Sequence, residues 1–191
     1  SEMMMALYME TETIRLLLDK CNRFIISYLR AMKATGVNGV IIAEPAAGLV
    51  SNEDCLEFSS AYIAEIVKEL QDDNFMIVLH NCGNTGHCTA AMVETKAASL
   101  HFGNKIDMVN VLKECPENIL LMGNLDPVGI LKMATPEKIK KEVLTLLENT
   151  SQWRNYVLST GCDVPPEVPL ENIKAFYEAL NEYNNKKQSE L

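Results

Sequence analysis

Five short apolar runs, each separated from the next by a helical pattern, restrict what this chain can fold into. Val37–Ala43, Phe75–Leu79, Ala97–His101, Ile119–Met122 and Tyr156–Thr160 are brief, partly β-branched and bounded by polar or turn-forming residues, the pattern of buried strands. Ahead of them, Thr11–Ala34 carries Ile14, Leu17, Leu18, Cys21, Ile25, Tyr28, Leu29 and Met32 at amphipathic-helix spacing, and Gly36 stops it. Ser51 with Asp54 forms a capping signature before the stripe Phe58, Tyr62, Ile63, Ile66, Val67 and Leu70. Thr89–Lys96 and Met108–Glu114 read as short helices. Thr135 caps a helix that Pro136 begins, with Ile139, Val143, Leu146 and Leu147 on its buried side, and Leu170–Tyr183 closes the chain.

Strands joined through helices pair in parallel, so the expected class is α/β, as an open doubly wound sheet or part of a barrel. No Gly-x-Gly-x-x-Gly or P-loop pattern follows any strand, which argues against a nucleotide-binding sheet. A complete (β/α)8 barrel takes ~250 residues. Here 191 residues supply five units, and the predicted fold is an incomplete TIM-type barrel in one domain, 1–191.

A net charge of −9 repels phosphate backbones and excludes nucleic acid as the expected partner. No apolar run reaches the ~18 residues of a bilayer span. Met3–Leu7 is too short, and lacks the basic flank, for a signal peptide, so a cytoplasmic protein without membrane contact is expected. Six cysteines are too sparse for a disulfide scaffold. Cys21, Cys55 and Cys115 read as small core residues, and the tail Asn184–Glu190 is expected to fray.

The stretch from Leu79 to Cys88 carries the chemistry. His80 and Cys82 end a strand two residues apart and point the same way, and imidazole nitrogen and thiolate sulfur are preferred zinc ligands. Counting in twos puts Met76, Val78, His80 and Cys82 on one face; Tyr156, Leu158, Thr160 and Cys162 on another; and Val40, Ile42 and Glu44 on a third. Each series runs from apolar to a metal-binding side chain, so Glu44, His80, Cys82 and Cys162 form the expected set around one ion at the strand ends, where parallel folds bind ligands. The competing set is the local cluster His80, Cys82, His87 and Cys88, although adjacent residues rarely turn to one ion. His101 reads as a satisfied core group or a pocket residue. Asn84, Thr85 and Gly86 offer donors to an anion or simply cap the loop, and Asn124 and Asp126, beyond the fourth strand, are expected to line the pocket.

His80-Asn81-Cys82-Gly83, Met122-Gly123-Asn124-Leu125-Asp126-Pro127 and the ending Thr160-Gly161-Cys162-Asp163-Val164-Pro165 to Pro169–Ala175 resemble the uroporphyrinogen decarboxylase superfamily. Within it they are most similar to the methylcobalamin:coenzyme M methyltransferase branch, whose zinc signature is His-x-Cys with a distant Cys on the last strand. The decarboxylases of the superfamily use no metal. The resemblance implies a (β/α)8 barrel of which this chain carries about five C-terminal units, the first three being absent. It also implies zinc on His80, Cys82 and Cys162. Glu44 matches the family's acidic strand end; Glu44 and Asp126 are the expected catalytic residues, and Asn84 and Asn124 the expected substrate-binding ones. Methylcobalamin or a corrinoid protein is the methyl donor, and a small thiol such as coenzyme M the acceptor. A non-catalytic zinc-binding remnant and a decarboxylase-type lyase are the alternatives. Five parallel strands leave two unpaired edges, so a homo-oligomer is expected.

Overall fold

The computed structural model describes residues 2–189. Helices α1 (Glu2–Met9) and α2 (Thr11–Ala34) lead into strand β1 (Gly39–Ala43). A 3-10 turn, Pro45–Leu49, connects it to α3 (Asn52–Cys55), which runs through a π-helical turn, Leu56–Ser60, into α4 (Ala61–Leu70). Next come β2 (Met76–Asn81), α5 (Thr89–Glu94), β3 (Ser99–Phe102), α6 (Met108–Glu114) and β4 (Leu120–Leu125). A second π-helical turn, Pro127–Lys132, then α7 (Pro136–Asn149), β5 (Tyr156–Thr160) and α8 (Leu170–Ser189) complete the order. The expected caps form: Ser51 accepts from the Asp54 N–H, and Thr135 from the Lys138 N–H.

The five strands make one parallel sheet in sequence order, β1-β2-β3-β4-β5, as successive βα units dictate. Its registers define two kinds of row. Ile42, Leu79, Leu100 and Leu121 lie in successive register on the face covered by helices, and the last three are at most 1% exposed. Burying each such side chain stabilises the fold by about 1.5–3 kcal/mol relative to leaving it in water. Leu29, Ile63, Ile66, Val67 and Leu70 of α2 and α4 pack against this face at the β1–β3 end. Ile139, Val143, Leu147, Ala175 and Ala179 of α7 and α8 form a second core beside Leu125 at the β4–β5 end.

Among the described residues, no helix layer covers the opposite face. Ile41 is 65% exposed, Leu120 39%, Val157 37% and Met76 36%, although all four are apolar and sit in strands. In a closed barrel that face points inward; here five strands curve only part of the way round.

Several sequence expectations change. α1 forms where only a short apolar run was noted, and β4 continues through Leu125, which places Asn124 inside the strand. α8 extends to Ser189, so Asn184–Ser189 is helical where fraying was expected; Glu190, the end of that predicted tail, lies outside the described residues. Cys55 and Cys115 are buried as expected, whereas Cys21 is exposed. Leu17 and Tyr28 are 46% and 58% exposed, because α2 buries only the narrow stripe of Ile14, Asn22 and Leu29. No helix among the described residues is long and apolar enough to cross a membrane.

Candidate metal centre

The uncovered face of the sheet carries the chemistry at its C-terminal end. One register row reads Ala43, His80, His101, Met122 and Val157, which sets two histidines side by side on β2 and β3. Their rings are 4.5 Å apart between centroids, with Nδ1 to Nδ1 at 2.8 Å. Cys82 follows His80 by two residues, directly past the last residue of β2, and keeps the same side of the chain.

Cys162 arrives by a different route from the one that alternation implies. On β5 the residues in register with Met122 and Asn124 are Val157 and Ser159, so these two share the inward row. Tyr156 and Leu158, with which Cys162 was grouped, pack toward the helices. The extended backbone ends at Thr160, and the chain bends at Gly161, whose N–H donates to the Leu125 carbonyl at 2.8 Å. Thr160 Oγ1 donates to the Cys162 carbonyl at 2.8 Å, fixing the turn that brings the thiol inward. Only glycine fits at this bend: a Cβ there would lie 2.5 Å from the backbone nitrogen of Asn104.

His80, Cys82 and Cys162 thus offer ligand atoms that all lie within 4.8 Å of one another. A tetrahedral zinc with ~2.3 Å bonds to sulfur spaces its ligand atoms by roughly 3.5–4 Å. The three residues line a cavity of about 580 Å³ with Ile41, Ala43 and Pro45 on one side and His101, Ser159 and Thr160 on the other. His80 is 7% exposed, and its Nε2 is buried without a hydrogen-bond partner. Burial pushes the Cys82 thiol up from its ordinary pKa, and neighbouring Cys162 adds to the rise. Burial likewise lowers the pKa of His101, helped by His80 beside it.

Four other expected site residues are held elsewhere. Glu44 lies on the helix-facing parity of β1, where its carboxylate accepts from Ser59 Oγ at 2.7 Å and lines a separate, largely apolar cavity of about 330 Å³. Burial raises its pKa, against a smaller lowering by the Ser59 hydrogen bond. Asp126 caps the turn after β4, its Oδ1 accepting from the Val128 and Gly129 N–H groups at 2.9 Å each. Asn124 donates to the Gly103 and Ile106 carbonyls, tying the β3–α6 loop to β4. Asn84 is fully buried and organises its own loop, accepting from Gly86 and Cys88 N–H and donating to Thr89 Oγ1. None of these four side chains lines the 580 Å³ cavity.

The competing local cluster does not assemble either. His87 is exposed with Nε2 3.1 Å from the Val50 carbonyl, and Cys88 is buried against Ala47 and Val50, its thiol pushed up to about 12 by burial. Ser159 is a polar cavity residue that sequence reasoning did not select, and His101, read there as a core group or a pocket residue, lines the pocket. The signal for His101 was present: it is the penultimate residue of the third strand, as His80 is of the second.

A parallel sheet with a His/Cys/Cys cluster at its C-terminal edge defines an α/β protein of the TIM-barrel type, built as an incomplete barrel. The sequence model of the uroporphyrinogen decarboxylase (URO-D) family matches residues 1–183, and the chain belongs to that family. It is 30% identical over 178 residues to uroporphyrinogen decarboxylase of Psychromonas ingrahamii, covering 92% of this chain and 50% of that protein. To methylcobamide:CoM methyltransferase MtbA of Methanosarcina acetivorans it is 28% identical over 179 residues, covering 93% and 51%. A solved methyltransferase from Methanosarcina mazei superposes with a TM-score of 0.85 at 27% identity, over 95% of this chain and 52% of that one. The chain therefore spans about half the length of the relatives it matches.

Proposed function

We propose that this chain carries the zinc-binding half of a methyltransferase that moves a methyl group from a methylated corrinoid to a small thiol such as coenzyme M. The observation that supports it most directly is the clustering of His80, Cys82 and Cys162 around a buried imidazole nitrogen that has no protein partner. A lone pair buried without a partner costs free energy unless something fills the gap. Two thiols and an imidazole are the donor set zinc favours, and three protein ligands leave a position open for substrate, as in catalytic zinc sites. Zinc bound there lowers the pKa of a thiol ligand so that it is present as thiolate.

The chain's own residues supply the setting. His80, Cys82 and Cys162 would hold the zinc ion. Ile41, Ala43, Pro45 and Val164 give the 580 Å³ cavity an apolar wall suited to the carbon skeleton of a small thiol, beside the open C-terminal ends of the strands where a corrinoid can approach. The sulfur–methyl bond forms as the methyl–corrinoid bond breaks, its electron pair staying with the corrinoid. Glu44 and Asp126 have no direct part in this step, given where their carboxylates are bound.

The test is loss of free thiol when protein, methylcobalamin and coenzyme M are combined, with Cys162→Ser as control. Turnover by the wild type alone supports the reading; equal rates in both exclude it. The alternative reading is a chain that binds zinc without turnover. Stoichiometric zinc in a chain that transfers no methyl group would select it.

A further inference from the structure

His101 Nε2 lies 2.7 Å from the Thr160 carbonyl, and a carbonyl only accepts, so that nitrogen carries a proton. In the tautomer whose proton sits on Nε2, His101 Nδ1 is an acceptor. The 2.8 Å contact between the two Nδ1 atoms then requires the proton to sit on His80 Nδ1. The backbone carbonyl of His101 lies 3.2 Å from the same His80 Nδ1, a longer contact that shares this proton and is subordinate to the 2.8 Å contact between the rings. With its ring proton on Nδ1, His80 presents a bare lone pair at Nε2, the buried atom without a partner.

We propose that His101 is a positioning residue: by anchoring to Thr160 and accepting the His80 Nδ1 proton, it fixes the His80 tautomer that leaves Nε2 free to bind the metal. The inference rests on the zinc reading given above. Thr160 also shapes the turn that delivers Cys162, so one strand end sets the geometry of the thiol and, through His101, the tautomer of the imidazole. Hydrogen-bond partners of ligating histidines commonly govern affinity by 10–100-fold. The neighbour here is a second imidazole, which hands the requirement on to a backbone carbonyl.

The experiment uses two readouts on the 191-residue chain. The first is two-bond proton–nitrogen correlation on 15N-histidine-labelled, metal-free protein. Wild-type His80 is expected as the Nδ1–H tautomer, and His101→Phe as a shift toward Nε2–H. The second is zinc affinity by chelator competition: His101→Phe is expected to bind at least tenfold more weakly. His101→Gln, whose carboxamide both accepts and donates, stays within about threefold. A merely structural role would lower thermal stability while leaving the tautomer in place, and that result overturns the proposal. So does wild-type His80 protonated on Nε2, a reading that needs no variant to fold. If the wild type binds no zinc, the metal reading falls, and the tautomer measurement still decides the part played by His101.

Discussion

Gly161→Ala tests whether the bend after β5 delivers Cys162 to the cluster. The added Cβ would lie 2.5 Å from Asn104 N and 3.0 Å from Asn104 Cα, and ordinary contact begins near 3.4 Å, so the backbones must part by about 0.9 Å. Overpacking of this kind costs about 1–3 kcal/mol. Metal–ligand distances tolerate only ~0.2 Å, so a shift of that size next to Cys162 should cost zinc affinity at least tenfold. Gly39→Ala is the matched control: its Cβ would lie 2.5 Å from the Met76 carbonyl oxygen, an equal clash at the N-terminal end of β1, remote from the cluster. Urea unfolding should show a loss of about 1–3 kcal/mol in both variants. Chelator competition should show weakened zinc binding in Gly161→Ala and a change under threefold in Gly39→Ala. Equal zinc loss in the two, or wild-type affinity in a destabilised Gly161→Ala, would refute the reasoning.

Glu44→Gln should change the pH dependence of stability. Burial raises the Glu44 pKa, so the folded state keeps its proton to a higher pH than the unfolded chain, and the stability it contributes is lost as pH rises through the folded value. The variant, which keeps a partner for Ser59, should therefore gain stability relative to wild type toward neutral pH, with zinc binding unchanged; no gain would mean the carboxylate is paired or solvated when ionised. Asp126→Ala removes an acceptor from two backbone N–H groups and should cost about 1 kcal/mol in chemical denaturation, leaving zinc affinity alone. A drop in affinity with no drop in stability would put Asp126 at the site after all. The exposed Ile41, Met76, Leu120 and Val157 face and the two sheet edges should drive self-association of the isolated chain, read by light scattering at micromolar concentration. A monodisperse, cooperatively melting monomer would contradict this.

The strand–helix alternation was legible because each strand is a short apolar run and each longer helix has a 3.6-residue stripe. His80 and Cys82 were legible for a related reason: two residues on one strand share a face whatever the rest of the chain does. Cys162 was identified by its strand-end position, but parity alone assigned it to the wrong face of β5. The error lies in extending alternation past Thr160, where Gly161 leaves the extended conformation to pack against Asn104. Glu44 shows the same limit in reverse. Parity places it with Val40 and Ile42 correctly, yet that side of β1 faces the helices, and nothing in one sequence says which face of a strand is inward. Asn84, Asn124 and Asp126 share a third cause. Asn and Asp are the residues that cap loops and turns, and one sequence cannot separate a side chain bonded to its own backbone from one aimed at a ligand. His101 depended on interstrand register, which becomes visible only when β2 and β3 are laid side by side.

The most direct test of the central claim is zinc per chain, by elemental analysis of protein purified without a metal-binding tag and reconstituted under reducing conditions. The account predicts close to one equivalent in the wild type and in Cys55→Ser, and a large loss in Cys82→Ser and Cys162→Ser. Zinc well below one equivalent in the wild type, or equal retention in all three variants, would contradict it.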